Sequence, residues 1–254
     1  MRSIAVAGVE RKYRGSRGVY FAQTEDLAVL RGLSSNGKYA LDLGTGTGRF
    51  AFVVAERCGF AVGVDIEIDG LRTGKSQAQP GARLAFVAMD GAALGFRNDS
   101  LDLVTAIGTF EFTHDLRPVL REICRVLTPE GDLVFTCWNR ARWPKLELLD
   151  RRGRGSVLWS AAHVQAQTEQ CGLRVESVES IFFLPRRLLW WSHRLLLIEP
   201  LRRLLVVGSI ALETNVARKR SWGMAGRVLV VRARKAGSPS SLVSLKKMEQ
   251  RVRT

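Results

Sequence analysis

The chain has 254 residues, which is near the upper limit for a single hydrophobic core. Its 46% hydrophobic and 25% charged residues are ordinary for a globular domain and exclude a disordered chain. The formal net charge of +15 favours a polyanionic partner, such as nucleic acid, an anionic membrane or a phosphorylated substrate, although solubility alone would also explain it.

Cysteine spacing and the amino-terminal sequence suggest a reduced compartment. No CxxC pair and no Cys/His cluster with metal-ligand spacing occurs, so no metal site is predicted and the four cysteines are expected to be reduced. Residues 1–15 lack the apolar core of a secretion signal, and we therefore expect a cytoplasmic protein.

Short apolar runs alternate with helical segments along the chain. Strands are predicted over 39–43, 61–65, 84–89, 101–107, 132–138, 173–183 and 227–234. Helices are predicted over 24–33, 49–58, 68–79, 116–127 and 160–170, with Thr24 and Ser160 as caps and Thr128-Pro129 as the end of the fourth. This alternation predicts an α/β domain with a doubly wound, mostly parallel seven-stranded sheet and helices on both faces.

Residues 184–222 form a predicted insertion before the last strand. Leucines, Trp190, Trp191 and several arginines recur at helical spacing in 184–212, but the charges are too many for a transmembrane span. Two interpretations remain open: a helical lid that touches a membrane surface, or a helix packed on the sheet edge or a dimer contact. Residues 1–235 are predicted to form one domain, and 236–254 a loose basic tail with a short helix near 242–252.

Glycines follow the first predicted strand directly, in the sequence DLGTGTG of residues 42–48. Glycines at a strand-to-helix turn allow a ligand to approach the main chain. Asp65 ends the next strand, where a carboxylate can bind ribose hydroxyls. The G-x-G-x-x-G spacing of dinucleotide sites is not matched, because its third glycine would fall at Arg49 or Ala51, which disfavours a nicotinamide oxidoreductase.

This glycine loop resembles motif I of the class I S-adenosylmethionine-dependent methyltransferases, and three further segments extend the resemblance in order. They are FVAMDGA at 86–92, FRNDSLDLV at 96–104 and REICRVLTPEG at 121–131. The closest resemblance is to the type 11 branch, the group similar to the ubiquinone and menaquinone biosynthesis enzymes. The resemblance implies a Rossmann-like fold and S-adenosylmethionine as the cofactor.

The resemblance also implies roles for individual residues. The loop, Gly44, Thr45, Gly46 and Gly48, would hold the methionine part of the cofactor, with Asp42 beneath it for the amino group. The remaining cofactor-binding candidates follow the later strands: Asp65 for the ribose, Met89 and Asp90 for the adenine, Ile66 directly after Asp65, and Ile107 at the end of the fourth strand. A buried structural acid at Asp42 and a turn-capping acid at Asp90 are the alternatives.

The segment TFEFTHD at 109–115 follows the fourth strand, where cofactor and acceptor should meet. His114 has a suitable intrinsic pKa for a general base, and Glu111 is the second catalytic candidate. His114 could instead be a polar surface residue, and Glu111 could instead bind the cofactor or cap the nearby helix.

These observations predict a methyltransferase that acts on a small-molecule acceptor of lipid-like, quinone-like or anionic character. The alternative is a noncatalytic cofactor-binding protein or a membrane-recruited partner. Nucleic acid is a disfavoured substrate, because the basic residues are dispersed and no RNA-binding module is recognisable. The sequence does not determine the oligomeric state.

Overall fold

The apolar runs form one open sheet in a computed structural model, which describes residues 15–31, 33, 37–142, 157–183, 207–212, 215 and 226–236. Its strands are β1 (Tyr39–Leu43), β2 (Phe60–Asp65), β3 (Leu84–Ala88), β4 (Leu101–Ala106), β5 (Leu127–Asn139), β6 (Leu158–Trp159), β7 (Leu173–Ile181) and β8 (Val228–Lys235). Within these described residues the sheet has eight strands, where seven were predicted. The additional strand, β6, has only two residues, which is too short for an alternating pattern to reveal.

The strand order is β3-β2-β1-β4-β5-β8-β7, with β6 paired to the end of β5. Strands β1 to β5 run parallel, and β8 lies antiparallel between β5 and β7. The doubly wound, mostly parallel prediction is therefore confirmed. The chain leaves β1 towards β2 on one side and places β4 on the other, and ligands of open α/β sheets bind at such a switch point, outside the carboxyl ends of the strands.

The sheet is covered by the helices α1 (Gly15–Leu30), α2 (Arg49–Ala55), α3 (Ile68–Gln77), α4 (Arg117–Val126) and α5 (Ala161–Gln170). Ser160 caps α5 as predicted, its hydroxyl accepting the His163 amide at 3.3 Å. The predicted cap at Thr24 is wrong, because α1 begins at Gly15 and Thr24 is a buried interior residue. Packing of an apolar helix face outweighs a local capping signal.

The core consists of two apolar clusters, one on each face of the sheet. One cluster contains Leu120, Ile123 and Val126 of α4 together with Val164 of α5. The other contains Tyr20, Ala28 and Val29 of α1 and Phe50, Val53 and Val54 of α2. Strand β1 contributes to both, since Ala40 lies in the α1/α2 cluster and Leu41 in the α4/α5 cluster.

The junction of α4 and β5 differs from its prediction. Thr128-Pro129 was expected to separate a helix from a strand that began at residue 132, but the chain passes from Val126 of α4 directly into β5. Leu127 pairs with Leu101, and the register then shifts so that Asp132 pairs with Leu103. The proline lies within this bulge, where a strand tolerates a residue that cannot donate a ladder hydrogen bond.

The described part of the predicted insertion, 184–222, consists of residues 207–212 and 215. Residues 207–212 are helical, with Ile210 buried and Val207 and Leu212 exposed. The rest of the insertion and the predicted helix near 242–252 lie outside the described residues. None of the helices in the described ranges is long and apolar enough to cross a membrane.

Candidate functional site

The glycine loop after β1 folds over the end of β2. The amides of Gly44 and Thr45 both donate to the Val64 carbonyl, at 2.7 and 3.0 Å. The loop glycines have positive φ: +68° at Gly44, +55° at Gly46 and +86° at Gly48. Residues other than glycine rarely adopt this left-handed conformation, because their Cβ clashes with the backbone. The backbone shape of the loop therefore requires glycine at all three positions.

The three glycines differ in the space around them. A Cβ at Gly44 would lie 2.2 Å from the Thr109 hydroxyl, and one at Gly48 would lie 2.6 Å from the Phe86 ring. A Cβ at Gly46 would meet nothing within 4 Å. Gly44 and Gly48 thus serve close packing inside the protein, whereas Gly46 borders open space that a ligand can enter.

Asp65 joins the glycine loop to the second strand. One carboxylate oxygen accepts the Gly46 amide at 2.7 Å, and the other accepts the Glu67 amide at 2.9 Å. The Asp65 carbonyl accepts the Met89 amide at 3.0 Å, which ties the end of β3 to the same place. Each carboxylate oxygen keeps further lone pairs for ligand hydroxyls, since an ionised carboxylate accepts about four hydrogen bonds.

Asp42 lies beneath the loop and is 2% exposed. Its two carboxylate oxygens accept the hydroxyls of Thr45, at 2.7 Å, and Thr105 of β4, at 2.8 Å. Burial raises the pKa of the Asp42 carboxyl to about 6, against the lowering effect of these hydrogen bonds. The predicted acid is thus linked to both the loop and β4, which fits the structural interpretation of Asp42 as well as the binding interpretation.

Apolar side chains surround the carboxyl ends of β2 and β3. Ile66 is 71% exposed and Ile68 is 52% exposed, beside a partly buried Met89. Asp90 is exposed and accepts the Ala92 amide at 2.9 Å, so it caps the turn that follows, as its alternative interpretation predicted. Exposed isoleucines beside acids form a surface suited to a flat heteroaromatic ring.

At the end of β4, Ile107 is partly buried in the α1/α2 cluster and Gly108 turns the chain with φ of +70°. The Gly108 amide donates to the hydroxyl of Thr136 on β5 at 2.9 Å. A Cβ at Gly108 would lie 3.7 Å from a carboxylate oxygen of Glu111, so the Glu111 side chain reaches back to the strand end. Burial, and then the nearby Glu111 charge, raise the pKa of the Cys137 thiol.

The two catalytic candidates occupy different positions. Glu111 is partly buried in a short 3-10 helix, Phe110–Phe112. Two hydrogen bonds from β6 and the residue before it hold the backbone of this helix. The Val157 amide donates to the Glu111 carbonyl at 2.6 Å, and the Trp159 indole donates to the Phe110 carbonyl at 3.1 Å. His114 is exposed two residues beyond this helix. The structure brings Glu111, but not His114, to the end of β4.

Arg49 is a site residue that sequence analysis noted only as a missing glycine. As the first residue of α2, it pairs with Asp26 at 2.6 Å and with Glu25, so α1 is fixed beside the glycine loop. Three threonines were also missed: Thr105 bonds Asp42, Thr136 bonds Gly108, and Thr109 donates to the Leu43 carbonyl at 2.9 Å. The sequence signal that could have revealed these threonines is a hydroxyl residue within, or soon after, a predicted apolar strand.

A family model described as a methyltransferase domain matches residues 41–135. The demethylmenaquinone methyltransferase of Roseiflexus castenholzii is 38% identical over 109 residues, which cover 42% of this chain and 45% of the relative. The malonyl-acyl-carrier-protein O-methyltransferase of Methylococcus capsulatus is 32% identical over 147 residues, covering 57% of this chain and 53% of the relative. The chain therefore spans about half the length of the curated relatives it matches.

Solved structures share the fold across most of the chain. The complex between the Haloferax volcanii Trm112 methyltransferase activator and a methyltransferase contains a chain that superposes with a TM-score of 0.64 at 20% identity, covering 89% of this chain and 94% of that one. At this identity the similarity concerns the fold alone.

Proposed function

We propose that this chain is a class I, S-adenosylmethionine-dependent methyltransferase of the type 11 branch and transfers the methyl group of S-adenosylmethionine to a small-molecule acceptor. The match of residues 41–135 to a methyltransferase-domain family model supports this proposal. The observation that carries the proposal is the 2.7 Å hydrogen bond from the Gly46 amide to Asp65, at the ends of two adjacent parallel strands. This hydrogen bond places an open glycine loop beside an acid at the end of a strand. A nucleoside with a polar tail would use the acid for its ribose and the loop for its tail.

The residues at the ends of β1, β2 and β3, which we call the cofactor end, fit the cofactor part by part. The methionine tail would lie along the open side of Gly46 and Thr45, with Asp42 below it; the ribose would contact Asp65. Met89, Asp90 and the exposed Ile66 would surround the adenine. Ile107 would border the cofactor at its reactive side.

When bound, S-adenosylmethionine supplies a methyl group activated by a positive sulfonium. The residues at the ends of β4, β5 and β6, which we call the acceptor end, would hold the acceptor in line with that group and exclude water, and such positioning supplies much of the acceleration. Glu111 is the proposed proton acceptor, because its carboxylate lies beside Gly108. His114 is the second candidate.

Quinone-like rings are the first acceptor class to test. The Roseiflexus relative is named for demethylmenaquinone and the Methylococcus relative for a malonyl carrier protein. A ring hydroxyl or an activated carbon would lose a proton as it accepts the methyl group, which gives a carboxylate at Glu111 a chemical task.

Calorimetric titration of the whole chain with S-adenosylmethionine and with NAD tests the cofactor assignment. We expect micromolar binding of the former alone. An absence of S-adenosylmethionine binding at high micromolar concentration, or tighter binding of NAD, would overturn it. Transfer of a labelled methyl group to a short-chain demethylmenaquinol, compared with a malonyl carrier protein, then tests the acceptor class.

Glu111→Gln and His114→Asn separate the two catalytic candidates. Glu111→Gln is expected to lower kcat by about 100-fold and to remove the acidic limb of the pH–rate profile, while affinity for S-adenosylmethionine stays unchanged. His114→Asn serves as the matched control and is expected to change kcat by less than about threefold. The opposite pattern would assign the role to His114.

Peripheral contact of the insertion with a membrane remains part of the proposal. Val207 is 61% exposed and Leu212 is 51% exposed on helical residues 207–212, while Ile210 is buried. Flotation with anionic liposomes should bring the wild-type chain to the lipid fraction and leave a Val207→Ser/Leu212→Ser variant behind. Equal flotation of both proteins would exclude these two side chains as lipid contacts.

A further inference from the structure

A short turn at the end of β5 carries two exposed arginines. Arg140 and Arg142 lie in a 3-10 helix, Arg140–Arg142, that directly follows the strand. Neither guanidinium makes an ion pair with a described residue. Arginines elsewhere on the described surface commonly lie against carboxylates, such as Arg117 against Asp115 at 2.8 Å and Arg125 against Glu122 at 2.8 Å.

A buried asparagine holds this turn in place. Asn139 is 2% exposed; its side-chain amide donates to the Gly226 carbonyl at 2.8 Å, and its side-chain oxygen accepts the Ala141 amide at 3.0 Å. The main-chain amide of Asn139 also donates to the Arg227 carbonyl at 2.9 Å. The backbone that presents the two arginines is therefore fixed to the β8 side of the sheet, although the guanidinium groups themselves face solvent.

The turn also lies close to the reacting end of the site. Strand β6 pairs with β5 through Trp138↔Leu158 and Asn139↔Trp159, and the Val157 amide, just before β6, donates to the Glu111 carbonyl. With strands about 4.8 Å apart and a rise of about 3.3 Å per residue, the turn lies on the order of 10–15 Å from Glu111. One small molecule can span that distance.

From this geometry we infer that Arg140 and Arg142 bind a carboxylate or phosphate group of the acceptor, at a distance from the atom that is methylated. The inference rests on the proposed function for its acceptor, but the binding of an anion does not itself require turnover. Guanidinium groups match the planar, bidentate geometry of both oxyanions.

Two aromatic probes distinguish the sources of the anion. Phenyl phosphate and benzoate are titrated by calorimetry into wild-type chain that has been saturated with S-adenosylhomocysteine, at low ionic strength. We expect one or both to bind in the millimolar range or better, and the tighter one identifies the class. Addition of salt should weaken binding, because exposed charges are screened. Failure of both probes to bind would overturn the inference.

The decisive variant is Arg140→Gln/Arg142→Gln, with Arg83→Gln/Arg97→Gln as the matched control. Arg83 and Arg97 are also exposed, but they precede β3 and β4 and so lie at the amino ends of the parallel strands, opposite the carboxyl end of β5 that carries Arg140 and Arg142. The first pair should weaken probe binding at least tenfold, while the control pair leaves it within about twofold. Equal affinity in both variants, or equal loss in both, would contradict the inference.

S-adenosylmethionine affinity in the same samples keeps the two proposals apart. It should be unchanged in both double variants, which also reports that they are folded. If the wild-type chain binds neither S-adenosylmethionine nor its demethylated product, the proposed function fails. If it binds them normally while the probes bind equally to the Arg140→Gln/Arg142→Gln variant, only the anion site fails.

Discussion

The cofactor end and the acceptor end of the sheet satisfy their polar groups in different ways. At the cofactor end, Asp42 and Asp65 accept protein hydroxyls and amides, so each side chain is held before any ligand arrives. At the acceptor end, Arg140 and Arg142 face solvent without a carboxylate from the described part of the chain. A cofactor site binds more tightly when its polar groups are already held in place. Acceptor recognition depends instead on charged groups whose partner is supplied by the ligand.

The largest expected effect comes from Gly44→Ala. The new Cβ would lie 2.2 Å from Thr109, at a φ of +68°, so the substitution combines a clash with backbone strain. We expect a loss of about 4 kcal/mol in the free energy of unfolding, measured with urea. Gly46→Ala is the matched control: it meets no atom within 4 Å and should cost only about 1 kcal/mol, while still weakening cofactor binding. Equal destabilisation by both would contradict the distinction between packing and ligand-facing glycines.

The second effect concerns pH. Burial raises the pKa of Asp42 from 3.8 to about 6, so the folded chain binds more protons than the unfolded chain in that interval and stability falls as pH rises through it. A shift of this size corresponds to about 3 kcal/mol. The unfolding free energies of the wild type and of Asp42→Asn should therefore diverge between about pH 4 and 6, and their pH dependences should run parallel above about pH 7. Identical pH profiles would mean that Asp42 titrates normally.

Asp65→Ala should act on binding more than on folding. It removes the acceptor of the Gly46 and Glu67 amides and the proposed ribose contact, and we expect the affinity for S-adenosylmethionine to fall about 100-fold by calorimetry. Asp69→Ala is the control, because that carboxylate is 90% exposed on α3. An unchanged affinity of the Asp65 variant would show that the ribose lies elsewhere.

Arg49→Gln tests how firmly α1 is held at the cofactor end. The variant leaves Glu25 and Asp26 without their shared guanidinium, and we expect a loss of about 2 kcal/mol in unfolding free energy. Arg72→Gln breaks a pair whose side chains are 77% and 90% exposed, and it should cost less than about 0.5 kcal/mol. Proteolysis within α1 should accelerate in the first variant only.

The smallest effect is expected at the acceptor end. Thr136→Val removes the hydroxyl that accepts the Gly108 amide and should cost about 1 kcal/mol of stability. S-adenosylmethionine affinity should remain within about twofold, because Thr136 lies on β5, away from the glycine loop. A tenfold loss of that affinity would mean that the two ends are not independent.

Local sequence signals predicted the cofactor end well. The strand Tyr39–Leu43 has the predicted bounds, because a run that is apolar except at Asp42 ends at a glycine that can adopt positive φ. Helix α5 ends at the predicted residue, Gln170, and Gly172 follows it with φ of +83°. In both cases the end of the element is determined by the conformational preferences of a few neighbouring residues.

Long-range contacts decided what the sequence did not predict. The start of α1 depends on packing of Tyr20 and Val29, and the bulge at Leu127 depends on its pairing with Leu101 of β4. Glu111 reaches the end of β4 while His114 does not, because β6, itself too short to predict, holds the 3-10 helix from a position 46 residues later. Single-residue chemistry alone favoured His114 and Glu111 equally.

One contact links the two extremes of the described chain. The Arg232 guanidinium of β8 donates to the Ala28 carbonyl of α1, across 204 residues, and also to Glu179 at 3.1 Å. During synthesis α1 emerges well before β8, so this contact cannot form until the residues between them have left the ribosome. A product truncated before β8 would lack this contact with α1, and the last attachment of the helix beside the glycine loop therefore depends on the synthesis of β8.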